Sequence, residues 1–117
     1  MRLENAMQYM LLIYTDSTAP AIPDDDTSIV EWAAEVERRG ISRGGDRLRS
    51  PSDSTTIKVR DGKLSVTDGP CLETKERIAG FDILECENLD EVIQIAAQHT
   101  MARYGQIEIR PFWPLNL

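Results

Sequence analysis

The stretch Thr67–Glu76, TDGPCLETKE, joins two segments that have the pattern of β-strands, and it fixes where the chain must turn. It begins with three residues that favour turns for different reasons. An aspartate such as Asp68 can bond to its own backbone, Gly69 permits positive φ, and Pro70 fixes φ and lacks an N–H donor. A connection between strands is therefore predicted here.

Four ionisable side chains surround this turn, namely Asp68, Glu73, Lys75 and Glu76. Opposite charges within a few residues of one another hold shifted pKa values when they are partly buried. Two interpretations follow from the residue types. The stretch is either a solvated structural turn or part of a functional site.

A β-hairpin is predicted immediately before the turn. Residues 54–60 and 63–67 alternate between apolar and polar side chains, and Asp61-Gly62 between them is typical of a two-residue hairpin turn. Ile57 and Val59 fall on one face of the first strand.

Two helices and further strands are predicted around this hairpin. An apolar stripe at helical spacing, including Trp32 as a core residue, predicts a helix that starts with a capping box at Ser28 and Glu31 and ends at Gly40. A second helix is predicted after its cap, Asn88. The other predicted strands are Tyr9–Tyr14, Ile41–Leu48 with a bulge or close backbone approach at Gly44-Gly45, Ile78–Cys86 and Gln106–Arg110.

Five segments of the chain, in this order, resemble the YCII-related family in its DGPF-motif branch. They are Met7–Tyr14, Val66–Pro70, Glu73–Glu76, Ala79–Phe81 and Glu108–Pro111. The order of predicted elements indicates an α+β fold with one antiparallel sheet and helices on one face. The resemblance implies a ferredoxin-like sheet with two helices on one face, assembled as a homodimer of the dimeric α/β-barrel type.

The resemblance begins at Met7, so we expect residues 1–6 to be a disordered or upstream-start extension and residues 7–117 to form a single domain. Two positions depart from the family pattern. Cys71 replaces the phenylalanine of the motif, and His99 does not fall in the early segment where the family carries a histidine and aspartate pair. His99 is instead predicted to favour the negative end of the second helix.

Composition limits the classes of partner. A formal net charge of −7 over 117 residues disfavours nucleic acid, because a phosphate backbone needs clustered cations. No apolar run approaches the ~20 residues that cross a bilayer, so no membrane partner is expected. Cys71 and Cys86 lack metal-ligand spacing and, without a secretory signal, indicate a reducing, cytoplasmic location.

A catalytic pair is predicted at Asp68 and Arg110, placed on neighbouring or facing strands. The arginine offers a fixed fork to a small anionic ligand, and a partly desolvated aspartate accepts a proton. A structural ion pair between the two is the competing interpretation. The residues expected to bind substrate around this pair are Gly69, Pro70, Glu73, Lys75 and Glu76.

Three functions remain open at this level. The first is a lyase or isomerase that transfers protons without a cofactor, since no redox-cofactor, phosphate-loop, triad or metal-site motif is present. The second is a non-catalytic ligand-binding or regulatory dimer, which the resemblance links to extracytoplasmic-function sigma factors. The third is a bare dimerisation domain. A metal ion held by Asp68, Glu73 and Glu76 is an alternative to cofactor-free chemistry.

Overall fold

The computed structural model describes residues 6–116, and the elements in this range follow the predicted order. The strands are β1 (Met7–Thr15), β2 (Ser42–Arg47), β3 (Thr55–Arg60), β4 (Lys63–Asp68), β5 (Ile78–Cys86) and β6 (Gly105–Pro111). The helices are α1 (Ser28–Arg38), α2 (Leu89–Ala96) and the single turn α3 (Met101–Tyr104). None of these helices is long and apolar enough to cross a membrane. Of the predicted N-terminal extension, residues 1–5 lie outside the described range.

Four strands form an antiparallel sheet in the order β2-β5-β1-β6. The two central strands, β1 and β5, pair with each other, while β6 pairs with β1 and β2 pairs with β5. The chain passes through one helix between β1 and β2 and through two between β5 and β6. This is the arrangement of a ferredoxin-like α+β fold, and the predicted fold class is confirmed.

The core lies between one face of this sheet and the two longer helices. Alternate residues of β1 and β5 point to that side, as the two-residue period of a strand requires. Trp32 is buried among them, as its helical spacing predicts. The buried apolar cluster consists of Tyr9, Leu11, Ile13, Trp32, Val36, Ile41, Leu84, Cys86, Val92, Ile95 and Ala96.

The opposite face of the sheet is not covered by any helix of the described range. Met10 and Leu12 of β1 alternate with core residues and are half-buried, as are Phe81 and Ile83 of β5. Met10 pairs with Ile83, and Leu12 pairs with Phe81, so the four side chains form one apolar patch. We call this surface the open sheet face.

The β3–β4 hairpin forms as predicted but does not join the main sheet. It is a separate two-stranded sheet, so the prediction of one antiparallel sheet is wrong for this segment. Its turn residues Asp61 and Gly62 have φ of 52° and 75°, the left-handed values that an Asp-Gly hairpin turn needs. At its base, the N–H of Gly69 donates to the carbonyl oxygen of Ser54 at 2.7 Å. The hairpin is thus an insertion between β2 and β5.

The two longer helices begin differently. Asn88 caps α2 as predicted, because its side chain accepts a hydrogen bond of 2.9 Å from the N–H of Glu91. The capping box predicted for α1 is wrong, because Ser28 is the first helical residue and Thr27 at the cap makes no side-chain cap bond. Asp26 satisfies the first N–H of the helix instead, since its carboxylate accepts a hydrogen bond of 2.8 Å from the N–H of Ser28.

Candidate functional site

A cleft of about 950 Å³ lies beside the base of the hairpin. Two loops, Leu48–Ser54 and Pro70–Ile78, line it together with Tyr14 of β1. Its lining contains four of the residues predicted to bind substrate: Pro70, Glu73, Lys75 and Glu76. We call this space the loop cleft.

The second of these loops is fastened to the end of β1. The carboxylate of Glu76 accepts hydrogen bonds from the N–H of Ser17, at 2.8 and 3.1 Å to its two oxygens. Next to it, the N–H of Thr15 donates to the carbonyl oxygen of Arg77 at 2.9 Å, and the N–H of Arg77 donates to the Thr15 hydroxyl at 3.0 Å. Glu76 therefore holds one wall of the loop cleft in place.

The lining of the loop cleft combines apolar side chains with three cations, Arg49, Lys75 and Arg77, and three carboxylates, Asp53, Glu73 and Glu76. Arg49 is paired with Asp53, with 3.1 Å between Nε and Oδ2. Lys75 and Arg77 form no ion pair with any residue of the range 6–116. The apolar lining residues are Leu48, Pro51, Pro70, Leu72 and Ile78. Such a surface is suited to a ligand with an apolar body and a negative charge.

Asp68 and Gly69 stand outside the lining of the loop cleft. Asp68 is the exposed last residue of β4, directly opposite Thr55. Gly69 has a φ of 102°, which favours glycine, and its carbonyl oxygen accepts a 2.8 Å hydrogen bond from the Thr56 hydroxyl. The Asp-Gly-Pro motif therefore closes the base of the hairpin and directs Pro70 into the cleft wall.

Tyr14 connects the loop cleft to a charged cluster on the sheet. Its hydroxyl donates to Oε1 of Glu108 at 3.2 Å, and Glu108 forms an ion pair with Arg110. A smaller cavity of about 320 Å³ is lined by Tyr14 and Glu108 and also by Glu76 from the loop cleft. Tyr14 and Glu76 thus border both spaces.

The cluster shifts the acidity of its members in opposite directions. Burial and the neighbouring Glu108 carboxylate raise the pKa of Tyr14. The hydrogen bond and charge of Arg110, with the hydrogen bond from Tyr14, lower the pKa of Glu108. The hydrogen bond to Glu108 in turn raises the pKa of Arg110. At neutral pH the tyrosine is therefore protonated and the carboxyl is ionised.

The predicted pairing of Asp68 with Arg110 does not form within the chain. Asp68 lies on β4, which pairs with β3, whereas Arg110 lies on β6, which pairs with β1. The guanidinium of Arg110 is instead occupied by Glu108, to which Nε donates at 3.1 Å. The catalytic roles of Asp68 and Arg110 stay predictions, without the contact that motivated them.

The alternative metal site at Asp68, Glu73 and Glu76 is also not formed. Among residues 6–116, no group of three or more histidine, cysteine, aspartate and glutamate side chains is placed to hold a metal ion.

His99 is buried just beyond the C-terminal end of α2, which ends at Ala96. Its Nδ1 accepts a hydrogen bond of 2.9 Å from the N–H of Met101, so the proton of the neutral ring is on Nε2. That nitrogen lies 3.7 Å from Oδ2 of Asp82, and the ring stands edge-on to Trp32 with 4.6 Å between ring centres. His99 thus ties the end of α2 to β5 and α1.

Sequence reasoning missed Tyr14, Glu108 and the loop Leu48–Ser54 as parts of the site. A usable signal existed for Glu108, because the strand period places it on the same face as Arg110. The contribution of Tyr14 depends on the pairing of β1 with β6, in which Tyr14 is opposite Gln106 and next to Glu108. A single sequence does not specify that register.

Comparison with known proteins agrees with this architecture. The family model of the YCII-related domain matches residues 7–116, nearly the whole chain. The chain is also similar to an uncharacterized protein of Rhizobium meliloti (strain 1021), with 29% identity over 113 residues that cover 90% of this chain and 91% of that protein. The match extends over both halves of the sheet, the hairpin and the loop cleft. The chain therefore belongs to the YCII-related family.

Proposed function

We propose that the protein is a non-catalytic ligand-binding dimer whose loop cleft takes a small molecule with an apolar body and an anionic group. The observation that carries this proposal is the lining of the cleft, where Lys75 and Arg77 lie beside apolar side chains and form no ion pair within the described range, although the charge of Lys75 helps to lower the pKa of Asp16. In a chain with a net charge of −7, cations that form no ion pair can donate charge-assisted hydrogen bonds to an anionic ligand. The volume of the cleft is within the range of small-molecule sites.

The acidities of the cluster favour binding over catalysis. A group that transfers protons works best with a pKa near the working pH. The pKa of Tyr14 is raised and that of Glu108 is lowered, so both move away from neutrality. Tyr14 therefore keeps its proton and Glu108 keeps its charge at neutral pH, so both are suited to hydrogen bonding with a ligand rather than to proton transfer.

A second copy of the chain is part of this proposal. The open sheet face has an apolar patch bordered by the ion pair of Glu108 and Arg110, and no helix of the described range covers it, which supports burial against another subunit. Membership of the DGPF-motif branch and a regulatory partner of the sigma-factor class stay predictions from the resemblance.

The first test is a thermal-shift and calorimetric titration of small aliphatic and aromatic carboxylates. Binding is expected to raise the melting temperature of the wild type. Lys75→Gln is expected to weaken binding about ten-fold, because it removes one charge-assisted hydrogen bond. Lys58→Gln on the hairpin changes the net charge equally and should leave the affinity unchanged. The proposal fails if no carboxylate binds, or if the two variants weaken binding equally.

A second candidate is a cofactor-independent lyase or isomerase, favoured by the direct hydrogen bond between Tyr14 and Glu108. A tyrosine hydroxyl and a carboxylate in direct contact are side chains of the kinds that serve as general acid and base. The discriminating variant is Tyr14→Phe, assayed with lactones and hydroxy acids that bind the wild type. Turnover by the wild type that is lost in Tyr14→Phe with binding intact would establish the enzyme. Binding without turnover in both proteins contradicts it, and Asp68→Asn tests the base predicted from sequence in the same assay.

A further inference from the structure

The loop cleft and the smaller cavity have two lining residues in common, Tyr14 and Glu76. The smaller cavity, of about 320 Å³, is completed by three residues of β6: Gln106, Ile107 and Glu108. We call it the β6 cavity. None of the residues from the range 6–116 that line it is a cation, whereas the lining of the loop cleft includes three. The two connected spaces therefore differ in charge.

The polar groups of the β6 cavity are mainly hydrogen-bond acceptors. The ionised carboxylates of Glu76 and Glu108 accept hydrogen bonds and donate none. The hydroxyl of Tyr14 donates its only proton to Glu108 at 3.2 Å, so its oxygen is left with acceptor lone pairs. Gln106 is the exception, since its amide group both donates and accepts. A ligand group that enters this cavity is therefore favoured if it is a hydrogen-bond donor.

The existing partners of the two carboxylates leave room for such a donor, because a carboxylate has roughly four lone-pair sites. Each oxygen of Glu76 accepts from the N–H of Ser17. Glu108 accepts from Tyr14 at Oε1 and from the guanidinium of Arg110 at Oε2. Both carboxylates can therefore accept a further hydrogen bond.

Charge selects the kind of donor. Arg110 balances the charge of Glu108, whereas Glu76 forms no ion pair with any residue of the range 6–116. A negative charge thus remains on the lining of the β6 cavity. A cationic donor such as an ammonium group gains from that charge, because a hydrogen bond between two ionised groups is stronger than one between neutral groups.

The cations of the loop cleft lie within reach of the same small molecule. Glu76 stands between Lys75 and Arg77 in the chain, and successive Cα atoms are about 3.8 Å apart. The lining of the loop cleft contains equal numbers of cations and carboxylates. A ligand that carries both charges matches this lining better than a simple anion does.

We infer that the β6 cavity binds the ammonium group of an aminocarboxylate, whose carboxylate lies at Lys75 and Arg77 and whose apolar body lies in the loop cleft. An ammonium group has three N–H donors. The carboxylates of Glu76 and Glu108 and the hydroxyl oxygen of Tyr14 provide the acceptors. The inference rests on the proposed function and names the class of ligand.

The test measures what an ammonium group adds to binding. Titration calorimetry compares phenylalanine with 3-phenylpropanoate, and 6-aminohexanoate with hexanoate. The members of each pair differ only in an ammonium group, which is near the carboxylate in the first pair and far from it in the second. In at least one pair the amino form is expected to bind the wild type about ten-fold tighter, because it gains charge-assisted hydrogen bonds.

Two matched variants locate the ammonium group. Glu108→Gln should abolish the advantage of the amino form without weakening the binding of the amine-free acid. Glu37→Gln changes the net charge equally at an exposed position of α1 and should preserve the advantage. Circular dichroism checks that both variants are folded, which is expected because neither side chain is buried.

An NMR titration of the wild type needs no variant. The amine-free acid should shift the backbone amide signals of Lys75 and Arg77, and the amino form should also shift the side-chain amide signals of Gln106. Equal affinities within both pairs, an advantage that persists in Glu108→Gln, or Gln106 signals that do not respond would overturn the ammonium site and leave carboxylate binding standing. If no acid of either kind binds, the proposed function fails and the ammonium site fails with it.

Discussion

At the scale of single residues, Glu108 is the acceptor on which the charged cluster depends. It accepts a hydrogen bond from Tyr14 and pairs with Arg110, and these contacts lower its pKa. A lowered pKa in the folded protein contributes stability that is present at neutral pH. That contribution is lost as the pH falls below the ordinary glutamate range and through the lowered pKa.

We therefore expect Glu108→Gln to make the unfolding free energy less dependent on pH on the acid side than it is in the wild type. The effect is small because Glu108 and Arg110 are partly exposed and screened by solvent. Urea unfolding at a series of pH values measures it, with the exposed Glu37→Gln as the control. An acid-side slope that is identical in the wild type and Glu108→Gln contradicts the assignment.

The same residues show how far sequence reasoning reaches at this scale. The two-residue period of a strand correctly places Glu108 and Arg110 on one face, and their ion pair confirms it. The expected contact of Asp68 with Arg110 does not form within the chain, because β4 pairs with β3 and β6 pairs with β1. Strand order depends on contacts between distant segments, which local pattern does not encode.

At the scale of elements, β2 depends on two adjacent glycines for two different reasons. Gly44 has a φ of 109°, so it supplies backbone conformation. Gly45 supplies space, since a Cβ there would lie 2.4 Å from Oδ1 of Asp82 and 2.5 Å from the carbonyl oxygen of Phe81. Both features predicted at Gly44-Gly45 are confirmed. The pairing register of β2 with β5 shifts there, which is the bulge, and the backbone of β5 passes close to Gly45, which is the close approach.

Gly45→Ala is accordingly expected to destabilise the fold by about 1–3 kcal/mol, because the obstructing carbonyl belongs to the neighbouring strand and cannot rotate away. Denaturant unfolding measures the loss. Arg47→Ala on the same strand adds no atom near β5 and should change stability by less than about 0.5 kcal/mol. If Gly45→Ala and Arg47→Ala are equally stable, a Cβ at position 45 fits beside Asp82 and the steric explanation is wrong.

Elements were more predictable than their assembly. Both longer helices and all six strands of the described range were expected from periodicity and turn residues. The cap of α2 was predictable because Asn88 has no competitor, whereas that of α1 was not, because Asp26 takes the N–H of Ser28. The hairpin was identified from Asp61-Gly62, but its separation from the main sheet depends on tertiary packing.

At the scale of the whole molecule, the described chain is a plate only 19 Å thick, and its open sheet face is the surface that the proposed dimer would bury. If two copies form the native state, unfolding also dissociates them, so stability depends on concentration. We expect the melting temperature to rise by a few degrees for each ten-fold increase in protein concentration. Scanning calorimetry over two decades of concentration tests this. A melting temperature that is constant in the wild type contradicts a dimeric native state.

The position of the hairpin also affects how the sheet assembles as the protein folds. The strands β2 and β5 are neighbours, but the whole of residues 48–77 separates them along the chain, and joining distant segments costs loop-closure entropy. Hairpins form within microseconds from local contacts. Once this one has formed, Thr55 and Asp68 are side by side, so the loop that remains to be closed is much shorter. The segment that extends the folded molecule therefore shortens the conformational search that brings its edge strand into place.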